Sequence, residues 1–277
     1  MINAYYDGIF SDINEVKIGL YDRSVYFGDA IYEVMIGRGK RVYQLDRHLT
    51  RLYTNLNRLG IKHPVGMKDR ISELVSMYDG GFFYVYLQVS RRGTKRLHAP
   101  EKALDPCLLI TVSPLDFIPE LMNAKAIFAE DKRYGFCDIK TTNILPSVLA
   151  SLDAERKGCD EAIFRRRKTV TEGAKSNCFI IRNSKLFTHP KSSRILPGIT
   201  RENILFAAEK LGITYEEKAF TVEELFSADE VFISSTTKFI RRITGVDGKE
   251  VGGRDYATIS ELDSFIKSDF IVNMSDR

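Results

Sequence analysis

The stretch Cys137-Asp138-Ile139-Lys140-Thr141-Thr142-Asn143-Ile144-Leu145-Pro146-Ser147-Val148-Leu149-Ala150 sets one lysine between an extended run and a helix. Ala126 to Glu130 and Gly135 to Ile139 read as strand. Pro146 can open the helix, because its missing N–H has no intrahelical partner there anyway, and Gly158 can close it. A lysine at a strand-to-helix turn can point into a cleft instead of bulk water. Desolvation or a neighbouring cation would then lower its pKa and make it a nucleophile toward carbonyl carbon. Taken alone, a lysine is a solvated surface residue. The rest of the chain decides between the two.

With 277 residues the chain can bury a sizeable core in one large domain or two. A formal net charge of +4 is too small to point to nucleic acid. The densest basic run, Arg165-Arg166-Arg167-Lys168, lies between strand-like segments and reads as a hairpin turn. No apolar run approaches the ~20 residues of a membrane span, and the N-terminus carries no signal-peptide pattern. Cys107, Cys137, Cys159 and Cys178 show no Cys-x-x-Cys spacing and sit in or beside apolar segments. That suits reduced thiols in a cytoplasmic protein, with no metal site.

The chain opens as a hairpin, Ala4 to Tyr6 and Ile9-Phe10 about Asp7-Gly8. Asp22 to Ala30 reads as a loop, and Ile31 to Ile36 as an alternating strand with Tyr32 and Val34 on one face and Glu33 and Met35 on the other. Asp46 can cap a helix that Gly60 stops, with Leu49, Leu52, Tyr53, Leu56 and Leu59 as its apolar stripe. Arg51 falls on the polar flank, which by pattern alone makes it a solvated arginine. Met67 to Tyr78 is a second helix and Phe82 to Ser90 a long aromatic, β-branched strand. Further on, Thr200 reads as an N-cap, Thr221-Val222-Glu223-Glu224 as a capping box, Val246 to Lys249 as a hairpin turn and Thr258 to Ile266 as a terminal helix. Two α+β domains are expected: a smaller N-terminal one over 1–112, a proline-bearing linker over 113–121 and a larger C-terminal one over 122–277.

Several familiar devices are missing: a complete dinucleotide fingerprint, a Walker loop, a Gly-x-Ser-x-Gly elbow, a His-Glu-x-x-His helix. What remains is a set of loops suited to one task. Ile199-Thr200 at a helix N-terminus offers N–H groups and a hydroxyl to an anion. Ser235-Thr236 at a strand end offers more hydroxyls, and Arg51 could supply the cation. Glu172, in a glycine-containing turn after a strand, could face a cationic nitrogen. An amine, a phosphate cradle and a carboxylate are what pyridoxal phosphate requires. Each piece also has a plainer reading, as a cap, a turn or a surface acid.

The motifs together resemble the class IV (fold type IV) aminotransferases, and among them most the D-amino acid aminotransferases. The resemblance runs through Asp22-Arg23-Ser24-Val25-Tyr26-Phe27-Gly28-Asp29-Ala30, His48-Leu49-Thr50-Arg51-Leu52, Asp138 to Asn143, Gly158 to Ala162, Thr171-Glu172-Gly173, Leu196 to Arg201 and Ser235-Thr236-Thr237. It implies a two-domain fold with pyridoxal 5'-phosphate in the cleft between domains. It implies that Lys140 is the Schiff-base lysine and proton shuttle, and that Glu172 pairs with the pyridine nitrogen. Arg51, Ile199, Thr200, Ser235 and Thr236 would cradle the phosphate, and Leu196 would support the ring. Arg96-Leu97-His98 matches the family's Arg-x-His element, which with Tyr32 would trap the substrate α-carboxylate, the loop coming from the other subunit of a homodimer. Lys175 departs from the small hydroxyl residue common at its place.

The activity so implied is amino-group transfer between a D-amino acid, of the D-alanine or D-glutamate type, and a 2-oxo acid. Relatives of the same fold give the alternatives: a branched-chain L-amino acid aminotransferase, an aminodeoxychorismate lyase, or an (R)-selective amine transaminase. A non-catalytic protein that kept the fold is the alternative from another class.

Overall fold

Alternation in the strands up to Pro114 builds a sheet with one dry face. The computed structural model describes residues 2–100, 104–117 and 120–275. They fall into two units: Met1–Phe117 with Ile139–Asn143 and Asn273–Arg277, and Ile118–Asp138 with Ile144–Val272. Of the expected linker, Ser113 and Pro114 belong to a strand, and Ile118 and Pro119 lie outside the described residues.

The first unit holds β1 (Ala4–Tyr6), β2 (Ile9–Ser11), α1 (Arg23–Phe27), β3 (Ala30–Arg38), β4 (Arg41–Val42), α2 (Leu45–Leu59), α3 (Met67–Ser76), β5 (Phe82–Ser90) and β6 (Cys107–Pro114). The strands pair in the order β2-β1-β6-β5-β3-β4, antiparallel at every step. Phe83, Val85, Leu87 and Val89 of β5 and Ile31 and Met35 of β3 share a face and are fully buried. They pack with Leu49, Leu52 and Leu56 of α2 and Ile71, Leu74 and Val75 of α3. Each such side chain contributes about 1.5–3 kcal/mol by leaving water. Glu33 falls in the same phase of β3 and is also fully buried.

Two local expectations change. The loop before β3 contains the short helix α1, capped by the Asp22 carboxylate and closed by Gly28 at φ 60°. Helix α2 begins one residue before Asp46, with Gln44 left-handed at φ 50° as its cap. Asp46 sits in the first turn, where a carboxylate still meets the helix dipole. Gly60 ends α2 as expected, at φ 62°.

The second unit holds β7 (Met122–Glu130), α4 (Leu145–Arg156), β8 (Glu161–Arg166), β9 (Thr169–Gly173), β10 (Asn177–Arg182), β11 (Lys185–Thr188), α5 (Ile199–Lys210), β12 (Tyr215–Glu217), α6 (Val222–Ser227), β13 (Glu230–Ser235), β14 (Phe239–Val246), β15 (Lys249–Glu250) and all but the last two residues of α7 (Tyr256–Met274). Its sheet runs β12-β11-β10-β13-β14-β7-β8-β9, with β15 beside β14. The pairs β11·β12, β14·β7 and β7·β8 are parallel, so this sheet is mixed. One core joins Ile180, Val231, Ile233 and Ile243 to Phe220 and Leu225. Another sets Ala150 and Ala154 of α4 on Ile127, Ala162 and Phe164.

Gly135 to Ile139 is not a strand: it turns, and Cys137 N–H goes to the Ser193 carbonyl (3.0 Å) instead of to a sheet edge. Helix α5 starts at Ile199 with Gly198 as cap, so Thr200 lies in its first turn. The capping box at Thr221 forms in both directions, Thr221 Oγ1 accepting from Glu224 N–H and Thr221 N–H donating to Glu224 Oε2. Asp247 and Gly248 take positive φ, as the β14–β15 hairpin turn requires. No helix among the described residues is long and apolar enough to cross a membrane.

Candidate active site

Lys140 is fastened to the start of β3. Tyr32 N–H donates to the Lys140 carbonyl (3.0 Å), and Thr142 N–H donates to that of Ala30 (3.1 Å). The hydroxyls of Thr141 and Thr142 both donate to the Gly28 carbonyl at 3.1 Å. These bonds hold the lysine's main chain without a regular strand. Its amine lies 4.1 Å from the centroid of the Tyr32 ring, and that ring stacks on Tyr86 at 5.7 Å. Lys140 forms no ion pair among the described residues. The residue is half-buried, its amine over an aromatic face with no carboxylate to hold it.

The core beneath carries a charge cluster. Arg51 Nε and Nη2 donate to Glu33 Oε1 and Oε2, each at 2.7 Å, and His48 Nδ1 lies 2.8 Å from Glu33 Oε2. Burial alone would raise the Glu33 carboxyl; the Arg51 guanidinium outweighs it, helped by His48, and Glu33 sits at about 2. Burial lowers His48 against the pull of Glu33, and the charges of Arg51 and Lys140 act in the same direction as burial. Arg51 is not the solvated arginine its helix flank suggests: its side chain is 12 % exposed.

Arg96 and His98 lie on the exposed loop after β5. The Phe27 ring touches both, at 5.2 Å from Arg96 Cζ and 5.4 Å from the His98 ring. Neither forms a hydrogen bond or ion pair with Tyr32 or Lys140 among the described residues.

In the second unit Glu172 lies on β9, buried. Arg133 Nη1 donates to its Oε1 (2.5 Å), and Asn177 Nδ2 donates to its Oε2 (2.9 Å). Leu196 N–H donates to both oxygens, at 3.1 and 3.0 Å. Glu172 and Leu196 are therefore direct neighbours. Asp131 holds Arg133 in turn, accepting from its Nε (2.9 Å) and Nη2 (3.0 Å), and also accepts from Arg166 Nε and Thr171 Oγ1. Burial raises Glu172 to about 7, against the opposing pull of Arg133.

Asn177 ties the other predicted residues of this unit together. Its second amide hydrogen goes to the Leu196 carbonyl (2.9 Å), and it pairs in register with Ser234, one residue before Ser235. A Cβ on Gly198 would meet Asn177 Oδ1 at 2.1 Å, so only glycine brings the start of α5 this close. Ile199 and Thr200, in the first turn of α5, are buried, and Ser235 and Thr236 are half-buried at the end of β13. The Ser234 hydroxyl is buried with no partner among the described residues.

Glu33, His48, Asp131, Arg133 and Asn177 were not among the residues expected at the site. Glu33 left a signal, a charge in the buried phase of an apolar strand. Arg133 and Asp131 left none, since Arg133 and Glu172 are 39 positions apart in sequence. Among the described residues no His, Cys, Asp and Glu side chains cluster as a metal site would need.

The family description Amino-transferase class IV matches residues 30–246. The chain is 36% identical to the D-alanine aminotransferase of Bacillus licheniformis over 260 residues, 91% of this chain and 90% of that one. In fold it superposes on the branched-chain aminotransferase of Thermoproteus uzoniensis with norvaline at a TM-score of 0.86, with 24% identity and 98% and 97% of the two chains covered. The branched-chain amino acid aminotransferase of Escherichia coli gives 0.85, at 22% identity over 96% and 93%.

Proposed function

The chain belongs to the class IV aminotransferases, which depend on pyridoxal phosphate, and from that premise we propose that it transfers the amino group of a D-amino acid, D-alanine first, to a 2-oxo acid. The observation that carries the substrate class is the 36% identity to a D-alanine aminotransferase across nine-tenths of both chains.

The residues present suit the cofactor. Lys140 offers an amine with no competing carboxylate, and α5 opens with N–H groups and no side-chain cap. Glu172 is a carboxylate raised to about 7 by burial. A protonated ring nitrogen beside it would draw that value down, so the same burial strengthens its hold on the cation. When bound, pyridoxal phosphate supplies the electron sink that loosens the proton on the substrate Cα.

The chain's own residues would do the rest. Lys140 would hold the cofactor's aldehyde carbon and, once released, take the Cα proton on Nζ. Glu172, aimed by Arg133, Asn177 and the Leu196 N–H, would keep the ring nitrogen protonated. Ile199, Thr200, Ser235, Thr236 and Arg51 would grip the phosphate, and Leu196 would support the ring. Tyr32, Arg96 and His98 would take the substrate carboxylate.

The active form we propose is a homodimer. Leu145, Val148, Leu149 and Leu152 make a stripe on α4 at helical spacing, 61, 43, 58 and 40 % exposed. A second copy would cover it, and the Arg96–His98 loop would serve the partner's site.

A spectral titration tests the activity. The purified protein should be yellow and should lose that band with D-alanine but not with L-leucine or L-valine. Bleaching by the L-amino acids alone would assign it to the branched-chain branch. Release of pyruvate and 4-aminobenzoate without an amino acceptor would assign it to the lyases.

A further inference from the structure

The segment from Asp22 to Ala30 grips the structure at both ends. At its C-terminal end, the Gly28 carbonyl accepts from Thr141 and Thr142 and so holds the Lys140 turn. Its N-terminal end reaches the loop that bears Arg96 and His98. Arg23 is 5 % exposed; its Nη1 donates to the Leu97 carbonyl and its Nη2 to the His98 carbonyl (2.9 Å). Its Nε donates to Asp29 Oδ2 at 2.8 Å, and Arg91 Nε, at the loop's root, donates to the same oxygen at 2.8 Å. Arg91 is itself anchored on the carbonyls of Leu59 and Gly60. The Phe27 ring packs on Arg23 Cζ (4.6 Å), Arg96 Cζ (5.2 Å) and the His98 ring (5.4 Å).

We propose that Arg23 and Phe27 are the positioning residues of the substrate-carboxylate trap. Arg23 clamps the loop's main chain, and Phe27 is the platform on which Arg96 and His98 rest. This builds on the reading of Arg96 and His98 as the trap. The loop is otherwise exposed and pairs with no strand through Arg96–His98. Without the clamp, its ordering would fall on the binding of each substrate and weaken affinity for the carboxylate. Asp29 sets the direction of the clamp, because one carboxylate oxygen fixes both Arg23 and the loop's first arginine.

The test compares holoenzyme variants Arg23→Gln, Arg23→Lys, Phe27→Leu and Arg96→Ala. The readouts are KM and kcat with D-alanine and pyruvate, the inhibition constant of acetate, and the visible spectrum of the bound cofactor. Arg23→Gln and Phe27→Leu should raise KM and the acetate constant about 10–100-fold, the scale of a misplaced binding group. The spectrum should not move and kcat should stay near wild type, since the Lys140 turn hangs from the Gly28 main-chain carbonyl and these substitutions change only side chains. Arg23→Lys, which keeps one charged donor, should recover part of the loss. The clamp is overturned if Arg96→Ala raises both constants while the Arg23 and Phe27 variants leave them alone. If Arg96→Ala itself changes neither, the trap reading falls first, and the clamp with it. Should Arg23→Gln not fold, Arg23→Lys and Phe27→Leu carry the comparison.

Discussion

Glu33 and Arg51 meet face to face inside the first unit, each carboxylate oxygen 2.7 Å from a guanidinium nitrogen. Removing one partner leaves a buried charge alone. Glu33→Gln should therefore cost about 3–5 kcal/mol in urea unfolding. Replacing both residues by methionine should cost less than either single change, because no charge is stranded. A double variant as unstable as the sum of the singles would show that packing, not the buried charge, sets the cost. The pair also acts through pH: Glu33, depressed to about 2, stabilises above its ordinary 4.5, and that contribution is lost as pH falls from 4.5 toward 2.

Glu172 has the opposite sign. Its folded value is raised from 4.5 to about 7, so in cofactor-free protein its contribution is present below 4.5 and lost as pH rises through 7. The loss is on the order of 3 kcal/mol. Cofactor-free Glu172→Gln should lack it, and stability measured at pH 5 and pH 8 should differ between the two proteins by about that amount. His48, lowered by burial, takes stability away as pH falls through its ordinary 6.5 in both proteins, so it cancels from the difference. Parallel stability curves for the two proteins would contradict the burial argument.

Lys140 should separate chemistry from stability. Its amine lies over Tyr32 and has no ion pair among the described residues, so Lys140→Ala should cost no more than about 1 kcal/mol of folding free energy. Turnover should fall by at least about 10²–10⁴-fold, the range for loss of a positioned general base. Lys140→Arg keeps the cation on the ring and should be equally inactive. Single-turnover kinetics with D-alanine distinguish these outcomes. A variant retaining a tenth of wild-type rate would remove Lys140 from the chemistry.

How much of this was legible in the sequence depends on distance along the chain. The capping box at Thr221, the stop at Gly60 and the hairpin at Asp247-Gly248 are local, and they form where the residues place them. Both caps fall two positions earlier than expected, at Gln44 and Gly198, because the backbone entering each helix, not a side-chain oxygen, sets the start. Gly135 to Ile139 has a strand's composition, but its backbone turns and Cys137 N–H is taken by the Ser193 carbonyl, more than fifty positions away in sequence. Helical periodicity puts Arg51 in solvent, whereas a glutamate 18 positions earlier, on the neighbouring strand, holds its guanidinium in the interior. The Asp131–Arg133–Glu172 chain is invisible for the same reason.

The origin of the Arg96 loop at each active site is open to a complementation experiment. If the loop serves the partner, a dimer of one Lys140→Ala chain with one Arg96→Ala chain contains one intact site, lysine from one chain and arginine from the other. Such mixed dimers, separated by tag from either parent, should show about half of wild-type activity at low D-alanine, since a two-fold dimer has two equivalent sites. If each loop serves its own chain, neither site is intact and the mixture is as impaired as its parents. Leu149→Arg, on the exposed stripe of α4, gives the independent control. It should shift sedimentation from dimer to monomer and abolish the recovery.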